Sequence, residues 1–181
     1  GRSFTQIADA LRHMHSKRTM HRDLKPANIF LSSDGTVKVG DLGLGRFLSE
    51  STLEAFTKVG TPLYMSPELL NNSRGRGYGF SSDVYSLGCI LYELAKLRAP
   101  FKEPGMTFKA LCDRVLQGDY EPLPDVFLDD LRNLVDGMLA TDPGRRPSLD
   151  DIVDTSRRMR RQLSGGGGSS KSGEGKSSSR K

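Results

Sequence analysis

A carboxylate, an ammonium and an amide stand close together at Asp23, Lys25 and Asn28, within the run His21-Arg22-Asp23-Leu24-Lys25-Pro26-Ala27-Asn28. A second carboxylate follows in Asp41-Leu42-Gly43. Asn28 and Asp41 offer hard oxygen atoms, the donors magnesium prefers when it bridges phosphate groups. Between them lie two β-type runs, Ile29 to Leu31 and Val37 to Val39, joined by Ser32-Ser33-Asp34-Gly35. That is a hairpin signal, because glycine supplies the positive φ of a tight turn. A strand–turn–strand brings Asn28 and Asp41 face to face. Taken singly, an Asp or Asn here reads as a turn cap. Their joint spacing outweighs that reading.

A third motif, Ser66-Pro67-Glu68, closes the stretch. The three motifs in this order resemble those of eukaryotic protein kinases. The resemblance covers residues 1 to about 163, the large C-terminal lobe of such an enzyme. It implies a serine/threonine protein kinase that passes the γ-phosphoryl of ATP, with Mg²⁺, to hydroxyls of protein substrates. Such a transfer asks for positioning and charge neutralisation more than for covalent chemistry. Asp23 is then expected to orient the attacking hydroxyl or accept its proton, and Lys25 to stabilise charge on the transferring phosphate. Asn28 and Asp41 would hold magnesium. With Lys25 they would contribute to the ATP site, where Phe30 would lie beneath the adenine ring.

Lys25-Pro26 and Gly60-Thr61-Pro62 resemble the serine/threonine class, in which the Thr61 hydroxyl bonds to Asp23 and Lys25. Arg22, directly before Asp23, implies control by phosphorylation of the activation segment. Thr57 stands where relatives carry the activating phosphosite, with Ser49, Ser51 and Thr52 as alternatives. A phosphate there would add about two negative charges for Arg22 and Arg46 to pair with. Asp83 is expected to bind the catalytic-loop backbone, and Glu68 to pair with Arg146. Removing one partner of such a buried pair costs on the order of 3–5 kcal/mol.

The resemblance narrows further. Ala27-Asn28-Ile29-Phe30, Gly40-Asp41-Leu42-Gly43-Leu44-Gly45-Arg46, Val59 through Glu68 and Ser86-Leu87-Gly88-Cys89 are similar to the NIMA-related kinases. Leu42 in place of the commoner Phe fits that subgroup, and Leu44 resembles kinases that prefer serine. Tyr85 departs from the pattern, standing where Trp is usual, and Asn71 to Gly79 is longer and richer in Arg and Gly than expected. Other conspicuous residues read as structural. Tyr64 anchors the loop end beside Met65, Cys89 is a core thiol, and His21 packs against Leu42. His13 and His15, two apart on a helix, point in different directions and do not suit a shared metal.

The elements that position these residues are mainly helical. Phe4, Ile7, Ala8, Leu11, Met14 and His15 recur at three- and four-residue spacing, predicting an amphipathic helix ending near Lys17. Residues 41–68 lack a sustained period and are expected to form an ordered, irregular loop. Asp83 to Lys96 is apolar almost all round, which implies a helix buried at the centre. Further helices are expected at Thr107–Gln117, Leu128–Ala140 and Ser148–Gln162, punctuated by Pro122, Pro124, Pro143 and Pro147. The expected fold class is mainly α with a small β hairpin, a kinase-like C-terminal lobe alone.

The 181 residues are 35% hydrophobic and 27% charged, with a mean hydropathy of -0.47, as in a globular protein and not a membrane one. The net charge of +5 is uneven: from Arg157 onward it is +7, and the preceding 156 residues sum to -2. A dedicated nucleic-acid binder would carry its basic face on the domain itself. Residues 164–181 are mostly Ser, Gly and Lys and are expected to be a disordered tail. Two cysteines make no disulfide framework and no leader is visible, so an intracellular, cytoplasmic setting is expected, with nuclear or cytoskeletal association open. No Gly-rich phosphate loop, strand lysine or partner glutamate occurs in the chain. The expectation is a kinase piece lacking its N-terminal lobe and inactive alone. The alternatives are a truncated lobe serving as an interaction module, and an adaptor driven by the basic tail.

Overall fold

The computed structural model describes residues 2–40, 63–71 and 78–165. Its first helix, α1 (Arg2–Ser16), buries Phe4, Ile7, Ala8 and Leu11 at the predicted spacing. A 3₁₀ turn at Pro26–Asn28 then leads into β1 (Ile29–Leu31), which pairs antiparallel with β2 (Val37–Val39). The turn between the strands is closed by the Ser32 amide donating to the Thr36 carbonyl at 2.9 Å. Gly35 sits there at φ +79°, a conformation that side chains with a Cβ resist. Gln6 of α1 fixes the hairpin to the helix by accepting from the Val37 amide at 2.6 Å.

After the hairpin, Pro67–Leu70 makes one helical turn, α2. The central helix is α3 (Phe80–Lys96); every residue from Ser82 to Tyr92 is buried. It begins three residues earlier than the apolar run alone suggests, because Phe80, Ser81 and Ser82 form a polar-capped first turn. Around it stand α4 (Phe108–Gln117), α5 (Asp129–Met138) and α6 (Leu149–Gly165). Thr107 caps α4, accepting from the Ala110 amide at 3.2 Å. Ser148 and Asp151 cap α6 reciprocally, each side chain accepting from the other's amide. Helix α6 continues past Leu163 through Gly165, so the first two residues of the expected tail, 164 and 165, belong to the helix. Residues 166–181 lie outside the described residues.

One apolar core joins α1, α3, α5 and α6. Gly88 of α3 allows its closest approach to α5: a Cβ there would meet Met138 Cβ at 2.7 Å. No helix among the described residues is long and apolar enough to cross a membrane.

Candidate active site

The loop from His21 to Asn28 is held from below by the first turn of α3. Asp83, fully buried, accepts from the His21 amide at 2.9 Å and the Arg22 amide at 3.0 Å. It also accepts from His15 Nε2 at 2.8 Å and from the Tyr78 hydroxyl. Burial pushes the Asp83 carboxyl upward, but these four donors outweigh it and hold the group below its ordinary value, ionised. Because an ionised carboxylate only accepts, His15 Nε2 carries the proton of its bond. The two amide bonds also hold Arg22 at φ 70°, a left-handed conformation rare outside glycine. Asp83 thus fixes the sharp turn that presents the next residue, Asp23.

His21 is buried and bridges this loop to the hairpin's end. Its Nδ1 accepts from the Asp23 amide at 3.3 Å, and its Nε2 lies 3.0 Å from the Gly40 carbonyl. A carbonyl cannot donate, so Nε2 bears the hydrogen. Both nitrogens are engaged in structure.

Three of the residues singled out by spacing come together. Lys25 Nζ donates to Asp23 Oδ2 at 2.8 Å. Asn28 Nδ2 donates to the Asp23 carbonyl at 2.7 Å and to Asp23 Oδ2 at 3.2 Å. With both amide hydrogens turned to Asp23, the Asn28 side-chain oxygen faces away from these bonds. Among the described residues it accepts from no protein donor. That leaves a hard oxygen free for a cation, so the donor chemistry fits a magnesium-bound phosphate ligand.

The hairpin register pairs Ile29 with Val39, and the Gly40 amide donates to the Asn28 carbonyl at 2.9 Å. The residue before Asp41 is thereby locked opposite Asn28. Phe30 rests against Gly40, where a Cβ would meet its ring at 2.8 Å, and the ring is 50% exposed. Asp41, Arg46, Thr57 and Thr61 lie outside the described residues, as do Leu42, Leu44 and the Arg/Gly-rich residues 72–77. Arg22 is exposed, and its side chain makes no ion pair with another described residue.

A second constellation braces the segment after the loop. Glu68 and Arg146 form a two-pronged pair, with both N···O distances 2.8 Å. Arg146 also donates to the carbonyls of Ser81 and Ala140, and its guanidinium lies 4.9 Å from the Tyr85 ring centre. Burial raises the Glu68 carboxyl, yet bonds from Arg146 and Ser82 prevail and its value is lowered. Cys89 is wholly buried and its thiol is pushed up by that burial, which leaves it unreactive.

Sequence reasoning missed three partners: Tyr78 and His15 on Asp83, and Glu93, which accepts from the Tyr64 hydroxyl at 2.6 Å. His15 lies on the buried stripe of α1, and a polar residue on such a stripe is the available signal. Glu93 ends the apolar run of α3 without any such mark.

The chain belongs to the protein kinase family, whose domain matches residues 1–156. It is 45% identical over 154 residues to the probable serine/threonine-protein kinase nek3 of Dictyostelium discoideum, covering 83% of this chain and 13% of that protein. Serine/threonine-protein kinase Nek4 of Mus musculus is 43% identical over 150 residues, 83% of this chain and 18% of its own length. A putative serine/threonine-protein kinase A of Trypanosoma brucei brucei is 43% identical over 151 residues, 82% of this chain and 34% of its own. Within the family the chain is of the NEK, or NIMA-related, type. It spans between about an eighth and a third of the length of these curated relatives.

Proposed function

We propose that the protein carrying this chain transfers the γ-phosphoryl of ATP to serine or threonine hydroxyls of protein substrates, and that the chain is its C-terminal kinase lobe, residues 1–163, followed by a tail. One observation carries this reading: the Asp23 carboxylate is gripped by Lys25 and Asn28 on a loop that buried Asp83 holds in a strained turn. That arrangement aims a carboxylate at one point and sets a cation beside it. Asp23 orients the attacking hydroxyl and takes its proton. Lys25 neutralises charge that builds on the phosphate oxygens. Asn28, with Asp41, holds magnesium, which when bound screens the nucleotide phosphates. Phe30 offers an open apolar face for the adenine, and Thr61 bonds to Asp23 and Lys25 when the loop is ordered. Phosphate on Thr57, paired with Arg22 and Arg46, orders the activation segment. The setting is intracellular.

Phe30 and Leu31, 50% and 68% exposed, support completion of this edge by protein outside the chain. The 181 residues alone are then expected to transfer no phosphate. The decisive assay uses the kinase that includes a Gly-rich loop and its lysine. There Asp23→Asn is expected to lower turnover about 10²- to 10⁴-fold, and Asp41→Ala to abolish it. Full turnover in either variant overturns the assignment.

A further inference from the structure

Four hydroxyl side chains follow an arginine by three residues: Thr5, Ser49, Ser148 and Ser164. A guanidinium so placed is a positive mark that a second enzyme's carboxylates can read. Ser148 and Ser164 each follow two adjacent arginines, in Arg145-Arg146-Pro147-Ser148 and Arg160-Arg161-Gln162-Leu163-Ser164. By spacing alone the two are alike, and the fold separates them. To be modified, a hydroxyl must reach the cleft of another enzyme, so its segment has to open locally. Opening residues 145–149 would strip Arg146 from Glu68 and draw Leu149 out of the core. It would also break the cap of α6, where Ser148 Oγ donates to Asp151 at 2.6 Å and accepts from the Asp151 amide at 3.1 Å. Thr5 is buried, and Ser49 lies outside the described residues.

Ser164 stands in the last turn of α6, beyond Met159, the last core residue of that helix. Residues 160–164 are all exposed. Arg157 and Arg158 are held by Asp9 and Asp130, whereas no ion pair among the described residues engages Arg160 or Arg161. Opening this turn breaks only backbone bonds at a helix end and the bond from Ser164 Oγ to the Arg160 carbonyl, 3.0 Å long. No core side chain leaves its place, and such ends are the first part of a helix to open. Four glycines follow in sequence, residues 165–168, and glycine resists helix more than any residue but proline.

We propose that Ser164 is a phosphorylation site for a second, arginine-directed serine kinase, which reads Arg160 and Arg161. In the transfer, Ser164 Oγ bonds to the γ-phosphorus of ATP as the bond from that phosphorus to the bridging oxygen of ADP breaks. The hydroxyl proton passes to a carboxylate of the modifying enzyme, and ADP leaves. The site is independent of the kinase reading of this chain.

The test incubates the complete chain with ATP and calmodulin-dependent protein kinase II, an enzyme that reads arginine three residues before its serine. Fragmentation mass spectrometry then places the phosphate. Ser164 is expected to be modified at least about tenfold faster than Ser148. Arg161→Gln removes a charge-assisted contact to the enzyme and should slow the reaction at Ser164 by about tenfold. Arg158→Gln, the same change on an exposed arginine outside the motif, should leave that rate unchanged. Both substitutions fall on surface side chains, and circular dichroism checks that each variant keeps its helices. An unmodified Ser164, equal rates at Ser148 and Ser164, or equal rates for the parent and Arg161→Gln overturn the proposal.

Discussion

Tyr85 is fully buried in α3, and its hydroxyl has no hydrogen-bond partner among the described residues. The ring itself is well placed: it stacks on Phe101 at 6.3 Å and lies under the Arg146 guanidinium. Burial, first of all, pushes its phenol well above the ordinary value, so the orphan group stays neutral. A buried hydroxyl without a partner costs roughly 1–3 kcal/mol. Tyr85→Phe keeps both ring contacts and removes the orphan, so it should stabilise the chain by about 1 kcal/mol. Urea unfolding reads this directly, and a midpoint at or below that of the parent would count against it. Asp83 shows the opposite economy, since every one of its contacts satisfies a donor that the loop or its neighbours would otherwise leave buried and unpaired.

At the scale of elements, α3 is the axis on which the others are hung, and Gly88 sets how near α5 can come. Two effects oppose each other at this residue. Alanine is the better helix former by about 1 kcal/mol. Its methyl, however, would sit 2.7 Å from Met138 Cβ and 3.4 Å from the Met138 backbone carbon, which cannot yield unless α5 moves. Overpacking of this kind costs about 1–3 kcal/mol, so the steric term prevails and Gly88→Ala should destabilise. Gly137 on α5 is the control: a Cβ there meets Pro147 Cδ at 3.5 Å, an ordinary contact. Gly137→Ala should therefore leave thermal stability equal or raised. A rise in stability for Gly88→Ala would show that α5 gives way.

At the scale of the whole molecule, one buried and one half-buried carboxylate tie distant stretches together. Glu68 and Arg146 are 78 residues apart, and Asp83 reaches back 61 to 68 residues to His15, His21 and Arg22. Both carboxyls are lowered on folding. A lowered value means that the stabilisation is complete above the unfolded carboxyl range and is lost as pH falls through the folded value. Glu68→Gln removes one titrating group and leaves Arg146 with a weaker partner. The stability gap between parent and variant should then be widest near neutrality and shrink as urea midpoints are followed from about pH 6 to about pH 3.5. A gap unchanged over that interval would mean that Glu68 does not titrate with folding.

The helices and the hairpin were legible in the chain itself, and so was the closeness of Asp23, Lys25 and Asn28, because they rest on local periods, turn glycines and motif spacing. Family membership followed from the same runs and agrees with the matched domain and its NEK-type relatives. Helix ends shifted by a few residues where caps such as Thr107 and Ser148 decided them. Only the folded molecule determined that His15 and Tyr78 converge on Asp83, that Tyr64 finds Glu93, and that the Asn28 amide turns its hydrogens to Asp23. Those are meetings between segments far apart in sequence. They depend on how whole elements stack around α3, and no local spacing encodes that.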